Sequence, residues 1–130
     1  MKKIVIFSIV VLSLFYKLNA EDLNIDSLYA TIENFSKIEK SNKLNEFAYN
    51  FRNLYPEDCI TIANKALQIA KEIENQKAIA KSYSNLGLAN LTISNYEEAL
   101  EFFEKSLAIS KSLLDRKESA NIYSYIGIIY

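Results

Sequence analysis

Residues 76–90, QKAIAKSYSNLGLAN, return forty positions later as residues 116–130, RKESANIYSYIGIIY. The two stretches share Lys77/Lys117, Ala80/Ala120, Tyr83/Tyr123, Ser84/Ser124 and Gly87/Gly127. Extended backwards, the comparison lays all of segment 56–90 on segment 96–130, adding Glu57/Glu97, Lys65/Lys105, Leu67/Leu107, Ile69/Ile109 and Lys71/Lys111. Ten identities in 35 pairs, with conservative pairs such as Ile60/Leu100, Asp58/Glu98, Asn75/Asp115 and Leu86/Ile126 among them, mark an internal duplication. A fixed period of this length belongs to chains that bury a core by stacking supersecondary units.

The apolar period within each unit is helical. One helix is predicted over Gln76–Thr92 behind Asn75 as cap, and its partner over 96–113. Ser94-x-x-Glu97 has the form of a capping box, and Asp115-x-x-Glu118 repeats the charge logic before the next helix. Pro56 suits a first helical turn, where its missing N–H has no partner to lose. Tyr96, Ala99, Leu100, Phe103, Leu107 and Leu114 make one stripe along the second helix. Gly87 and Gly127 fall inside helices, where glycine costs about 1 kcal/mol relative to alanine, so a packing reason is expected. The expectation is that Phe103 lies on bare backbone at Gly87. Ahead of the units, Leu28, Ile32 and Phe35 form a short stripe behind Asp26, read as a leading helix with Asp26 as its cap.

Tyr83-x-x-Leu86-Gly87, Ala99 and Phe103, and Tyr123-x-x-Ile126-Gly127-x-x-Tyr130 resemble the tetratricopeptide repeat. A weaker copy is Leu44-x-x-Phe47-Ala48-x-x-Phe51, followed by Cys59, Ala63 and Ala66, with a loop one residue shorter. Asn90, Ser106 and Lys111 depart from the family's Tyr, Ala and Pro. The family period is about 34 residues; here it is forty, and the added residues are read as longer helices. Long repeats of this kind resemble those of bacterial exported proteins, including the front regions of sensor histidine kinases. The reading is an all-α helix-hairpin solenoid of about two and a half repeats. Residues 1–20 form a signal, 21–41 a leading segment with a short helix, and 42–130 the repeats (42–75, 76–114 and an incomplete 115–130).

Composition agrees with this class. Half of the residues are hydrophobic, with nine Tyr and seven Phe, enough apolar surface to offset the entropy of folding. Two Gly and one Pro are too few for a turn-rich sheet protein. The formal net charge is −1; removing Lys2, Lys3 and Lys17 leaves 12 basic against 16 acidic residues, or −4 over residues 21–130. Such a body has no basic footprint for nucleic acid. No His is present, so the commonest general base and metal ligand are missing, and Cys59 is the one Cys. It reads as a small buried apolar residue. Glu97, Glu98, Glu101 and Glu104 read as a solvated helix face, with Lys105 a partner for Glu101. The expectation is a non-catalytic chain without metal or cofactor.

Residues 1–20 have the order of a secretory signal: Lys2 and Lys3, an apolar run from 4 to 16, and a polar exit ending in Ala20. Cleavage there would leave Glu21 first, and the chain is expected on the periplasmic or extracytoplasmic side. The competing reading is a membrane anchor, for which the run is short of the roughly 20 apolar residues of a span.

The resemblance implies an interaction module whose first helices line a concave groove for a protein or peptide. Its groove positions fall on Asn45, Tyr49 and Arg52; on Lys81, Ser84, Asn85 and Leu88; and on Asn121, Ser124, Tyr125 and Ile128. Some members clamp a C-terminal carboxylate with Lys and Asn. Here Asn45, Ser84 and Ser124 stand at the Lys position and Tyr49, Leu88 and Ile128 at the Asn position, which puts the clamp in doubt. The alternative reading is the sensor part of a longer signalling protein with membrane and kinase parts beyond residue 130. Ile122, Ile126 and Ile129 are expected to lack a covering helix and to promote self-association at this end.

Overall fold

The computed structural model describes residues 24–130, so the signal reading of residues 1–20 lies outside the described residues. Six helices account for most of them: α1 (Ile25–Thr31), α2 (Lys37–Phe51), α3 (Pro56–Glu72), α4 (Gln76–Thr92), α5 (Tyr96–Ser112) and α6 (Arg116–Ile129). No strand occurs among the described residues. The chain divides into two compact units between Asn34 and Phe35. In the first unit, α1 is capped by Asn24, whose side chain accepts from the Ser27 N–H at 3.0 Å; Asp26, the expected cap, sits inside the first turn. An Asx side chain reaches the donor three residues ahead, and Asn24 has that spacing to Ser27.

The second unit is the repeat. α2 packs on α3, α3 on α4, α4 on α5 and α5 on α6, while α2 also meets α4 and α4 meets α6. The first helices of successive pairs therefore stand in a row. α2 starts at Lys37, earlier than residue 42, because Ser36 and Glu39 form a reciprocal capping box. The sequence reading passed over this Ser36-x-x-Glu39.

The forty-residue period is filled by 17-residue helices α3, α4 and α5. The turns joining them are nearly identical. Glu74, Ser94 and Leu114 take φ of 52°, 62° and 57°, the left-handed region, and no Gly is used for it. The N–H groups of Asn75, Asn95 and Asp115 then bond to the carbonyls of Ala70, Asn90 and Ser110 at 3.0, 2.9 and 2.9 Å. This is the Schellman closure of a helix C-terminus. The residue that closes one helix is also the N-cap of the next: Asn75 accepts from Ala78 and Asp115 from Glu118. Helix end, turn and helix start are thus fused into three residues, which fixes the angle of each hairpin.

Ser94 is accordingly not a capping-box residue. Its left-handed φ turns it away from the helix start, and Asn95 is the N-cap, with its side-chain amide donating to Asn90 Oδ1 at 3.2 Å and to Glu98. Leu114 leaves the predicted stripe for the same reason: it is a turn residue and is exposed, as is Tyr96 at the other end. Ala99 and Phe103 carry the stripe and are fully buried.

Gly87 meets the expectation placed on it. A Cβ built there would lie 2.5 Å from Phe103 Cε1 and 2.6 Å from Cδ1. The ring occupies the volume of a missing side chain, and its burial is worth about 2–3 kcal/mol. Around it, Leu88, Ala99 and Ile122 complete a core with Leu107, Tyr125, Ile126 and Ile129 packed against it. Ile122 is therefore fully buried, and Ile126 and Ile129 partly so. The expectation that these three lack a cover is corrected: they face α5, and the exposed side of α6 carries other residues. Cys59 is buried as read; desolvation, then Asp58, push its thiol up to about 12, with Arg52 pulling the other way.

Two serines stitch the hairpins. Ser41 of α2 donates across to the Ala66 carbonyl of α3 at 3.0 Å, and Ser106 of α5 donates to the Ala80 carbonyl of α4 at 2.7 Å. Ala66 and Ser106 are forty residues apart, Ser41 and Ala80 thirty-nine. The same contact is made twice, with donor and acceptor helices exchanged.

Candidate partner-binding groove

The row α2, α4, α6 and the turn before α6 enclose an open groove of about 620 Å³. α2 contributes Asn42, Asn45, Glu46 and Tyr49; α4 contributes Lys77 and Lys81; the turn and α6 contribute Leu113, Asp115 and Glu118. Both charge signs are present, with cations on the middle helix and carboxylates on its two neighbours. That arrangement offers hydrogen-bonding and charged groups along a surface rather than a single reacting centre.

Tyr49 is the aromatic centre of the wall. The Arg52 guanidinium lies over its ring, 4.3 Å from the centroid, and Lys81 Nζ stands 5.7 Å away. Arg52 also donates to the Tyr49 carbonyl, which holds the guanidinium over the ring. Each cation–π contact at such a site is worth about 0.5–1 kcal/mol. Tyr125 of α6 faces the same region: its hydroxyl is raised above the usual tyrosine value, first by burial and then by Tyr49 and Glu118, with Arg52 opposing. It remains a hydrogen-bond donor at neutral pH. Its ring rests on Phe103, with centroids 5.5 Å apart.

Behind the wall lies a buried polar network. Asn45 donates to Ser82 Oγ at 2.9 Å, and Ser82 donates to the Ala78 carbonyl at 2.9 Å. Asn85 donates to both the backbone and side-chain oxygens of Asn45, each at 3.0 Å. Asn85 Oδ1 is buried with no donor among the described residues. These bonds tie α2 to α4 through side chains and set the spacing of the groove walls.

The eleven positions implied by the resemblance separate on this geometry. Tyr49 and Lys81 line the groove, and Arg52 stands over Tyr49. Asn45 forms part of the groove lining, yet it is only 2 % exposed and its amide is committed to Ser82 and Asn85. Ser84, Asn85 and Leu88 are buried, so the position read as open surface is packed inside, Leu88 within the Phe103 core. On α6, Tyr125 is half-buried while Asn121, Ser124 and Ile128 are exposed and stand outside the groove; the Ser124 hydroxyl returns to the Ala120 carbonyl. The packing of α4 on α3, α5 and α2 is the reason: the middle helix is enclosed, whereas α6 packs mainly on α5 and has an open side.

Asn42, Glu46, Lys77, Leu113, Asp115 and Glu118 line the groove but were not read as site residues. Two of them were findable: Asn42 shares its register with Lys81 and Asn121, and Glu46 with Asn85 and Tyr125, once the one-residue-shorter loop is allowed for. Leu113 and Asp115 belong to a turn and reach the groove only through the hairpin angle.

Comparison with curated proteins and with solved structures gave no match. A family model described as tetratricopeptide repeat matches residues 56–112, from the first residue of α3 to the last of α5. Those helices hold Gly87 and Phe103 and are joined by two of the three fused turns, and the fold is a tetratricopeptide-like, all-α helical repeat.

Proposed function

We propose that this chain is an interaction scaffold that holds an extended peptide or protein segment in the α2–α4–α6 groove, without catalysing a reaction. The observation that carries the reading is the groove itself: Tyr49 flanked by Arg52 and Lys81, in a lining that also holds Glu46, Asp115 and Glu118. An extended segment can lay an apolar or aromatic side chain on Tyr49 and place charges of either sign beside it. The Lys and Asn clamp for a terminal carboxylate is not part of the proposal, because Asn45 is spent internally and Ile128 stands in open solvent. The test is selection from a displayed library of random peptides, followed by titration of the selected peptide. Tyr49→Ala and Lys81→Glu are expected to weaken binding by about tenfold each, 1.4 kcal/mol. Unchanged affinity in both variants would remove the groove from the proposal.

The same reading includes export. It is supported by the charged, apolar and small-residue order of residues 1–20, and mass spectrometry of the mature product should find Glu21 first. A second reading is the sensor part of a longer signal-transduction protein such as a sensor histidine kinase, favoured by the forty-residue period, which resembles the long repeats of such proteins. A hydrophobic stretch of about 20 residues encoded after Tyr130 would support it.

A further inference from the structure

The cations beside Tyr49 are not neutralised within the groove. Among the described residues, Arg52, Lys77 and Lys81 form no ion pair. The groove carboxylate of α2, Glu46, is paired with Lys43 at 3.2 Å, and the Asp115 carboxylate is used on the Glu118 N–H as the cap of α6. Arg52 ends α2 as its C-cap and is half-buried. Its Nη1 donates to the Tyr49 carbonyl, and its guanidinium centre lies over the Tyr49 ring at 4.3 Å. These contacts fix the group, and neither engages its Nε–Nη2 edge. That edge offers two parallel N–H donors, the fork that matches a carboxylate bidentately. A basic side chain bonded to a helix-end carbonyl is ordinary capping. Capping does not account for Lys81, an exposed residue of another helix whose Nζ stands 5.7 Å from the same ring.

We propose that Arg52, seconded by Lys81, anchors a side-chain carboxylate, an Asp or Glu within the bound segment. The anchor rests on the proposal that the groove holds such a segment, and it names the charge that segment must carry beside Tyr49. The wall from α6 limits how negative the group can be. Tyr125 is within electrostatic reach of Tyr49, Arg52 and Glu118 together, so a carboxylate of the chain already stands near the seat. One further carboxylate is matched by two cations. A phosphate, with a charge of about −1.5 to −2, would add repulsion from Glu118. The seat also differs from a clamp for a chain end, because Asn45 and Ser84 are buried away from it.

Random peptides displayed between fixed flanking sequences, so that no free terminal carboxylate is offered, are selected on the full chain. Expected is an Asp or Glu at one position of the selected set. A selected peptide with both ends blocked is then titrated by fluorescence anisotropy. Exchange of its acid for the amide should weaken binding by about tenfold. That loss should vanish in Arg52→Gln, as it does when two groups interact directly. Arg52→Glu should move the selected set to Lys or Arg at that position. Arg52→Lys keeps the charge and loses the fork, so it should fold as the unaltered chain does and still lose most of the preference for acid. Lys81→Gln should weaken binding by about threefold and flatten its salt dependence. Peptides that need Tyr49 but show no acidic position, or an amide exchange without cost, would overturn the anchor and leave the groove standing. Failure to select any peptide, or selected peptides indifferent to both Tyr49→Ala and Lys81→Glu, would remove groove and anchor together. Tighter binding of a phosphoserine peptide than of its Glu counterpart would overturn the assignment to a carboxylate.

Discussion

Gly87 and Gly127 occupy one register of two helices forty residues apart, and what meets them there differs. At Gly87 the missing side chain is replaced by the Phe103 ring; at Gly127 there is open space. Tyr83 and Tyr123 differ in the same way, one stacked against Phe102 and the other half in solvent. Ser84 is buried and Ser124 exposed. The sequence motif fixes what a helix face is able to receive, and the neighbouring helix decides whether that capacity is used. A residue's contribution to stability is therefore set by its place in the stack and not by its motif.

The largest test of this contrast removes a ring from each copy. Phe103→Ala should cost about 3–5 kcal/mol, because a fully enclosed aromatic leaves a cavity that α4 and α6 close only partly. Tyr123→Ala should stay within about 0.5–1 kcal/mol, the scale of an exposed ring and its lysine contact. Urea unfolding of both variants measures the difference; equal losses would break the comparison.

Next in size is the same substitution at the two glycines, expected to have opposite signs. Gly87→Ala places a methyl 2.5 Å from a buried ring and should destabilise by about 1–3 kcal/mol, with Gly87→Leu at least as costly. Gly127→Ala adds a methyl to empty space and removes the helix penalty of glycine, a gain of about 1 kcal/mol. Thermal midpoints moving in the same direction for both would show that the two sites are alike after all.

A smaller effect separates the polar positions. Asn45→Ala removes the donor to Ser82 Oγ and the side-chain acceptor of Asn85, and should cost about 1–3 kcal/mol, since buried polar groups lose a partner. Ser124→Ala, at the same register on α6, should lie within about 0.5 kcal/mol. The smallest expected effect is one in which the regions should agree. Glu74, Ser94 and Leu114 all hold left-handed φ in equivalent turns. Glycine at each should raise stability by about 0.5–1 kcal/mol through relief of the side-chain clash. Three unequal gains in denaturant midpoint would mean that the turns are not interchangeable.

Much of this was legible in the residues. Tyr83-x-x-Leu86-Gly87 with Ala99 and Phe103 predicted a ring on glycine, and the structure holds it there. The bounds of α4 follow from Asn75 and the helical period. The misses have one physical origin: a capping or groove pattern is local, whereas φ and burial answer to the neighbouring element. Ser94 has the spacing of a cap, but the Schellman closure of α4 places it in the left-handed region and gives the N-cap position to Asn95. Ile122 belongs to the last helix, yet it packs back onto Phe103 and is enclosed. Asn45 and Asn85 have groove chemistry, and they spend it on each other.

The amino-acid sequence alone determined the class of fold, the forty-residue period, the bounds of α4 and the pairing of Gly87 with Phe103. Those follow from periodicity and from the volume of single side chains, which are properties of the chain itself. Only the tertiary structure decided which copies of a shared motif are closed and which are open. It also decided which polar groups face the groove and that Leu113 and Asp115 reach it from a turn. The reason is that one helix face is defined by its own residues, while burial and a concave surface exist only between helices.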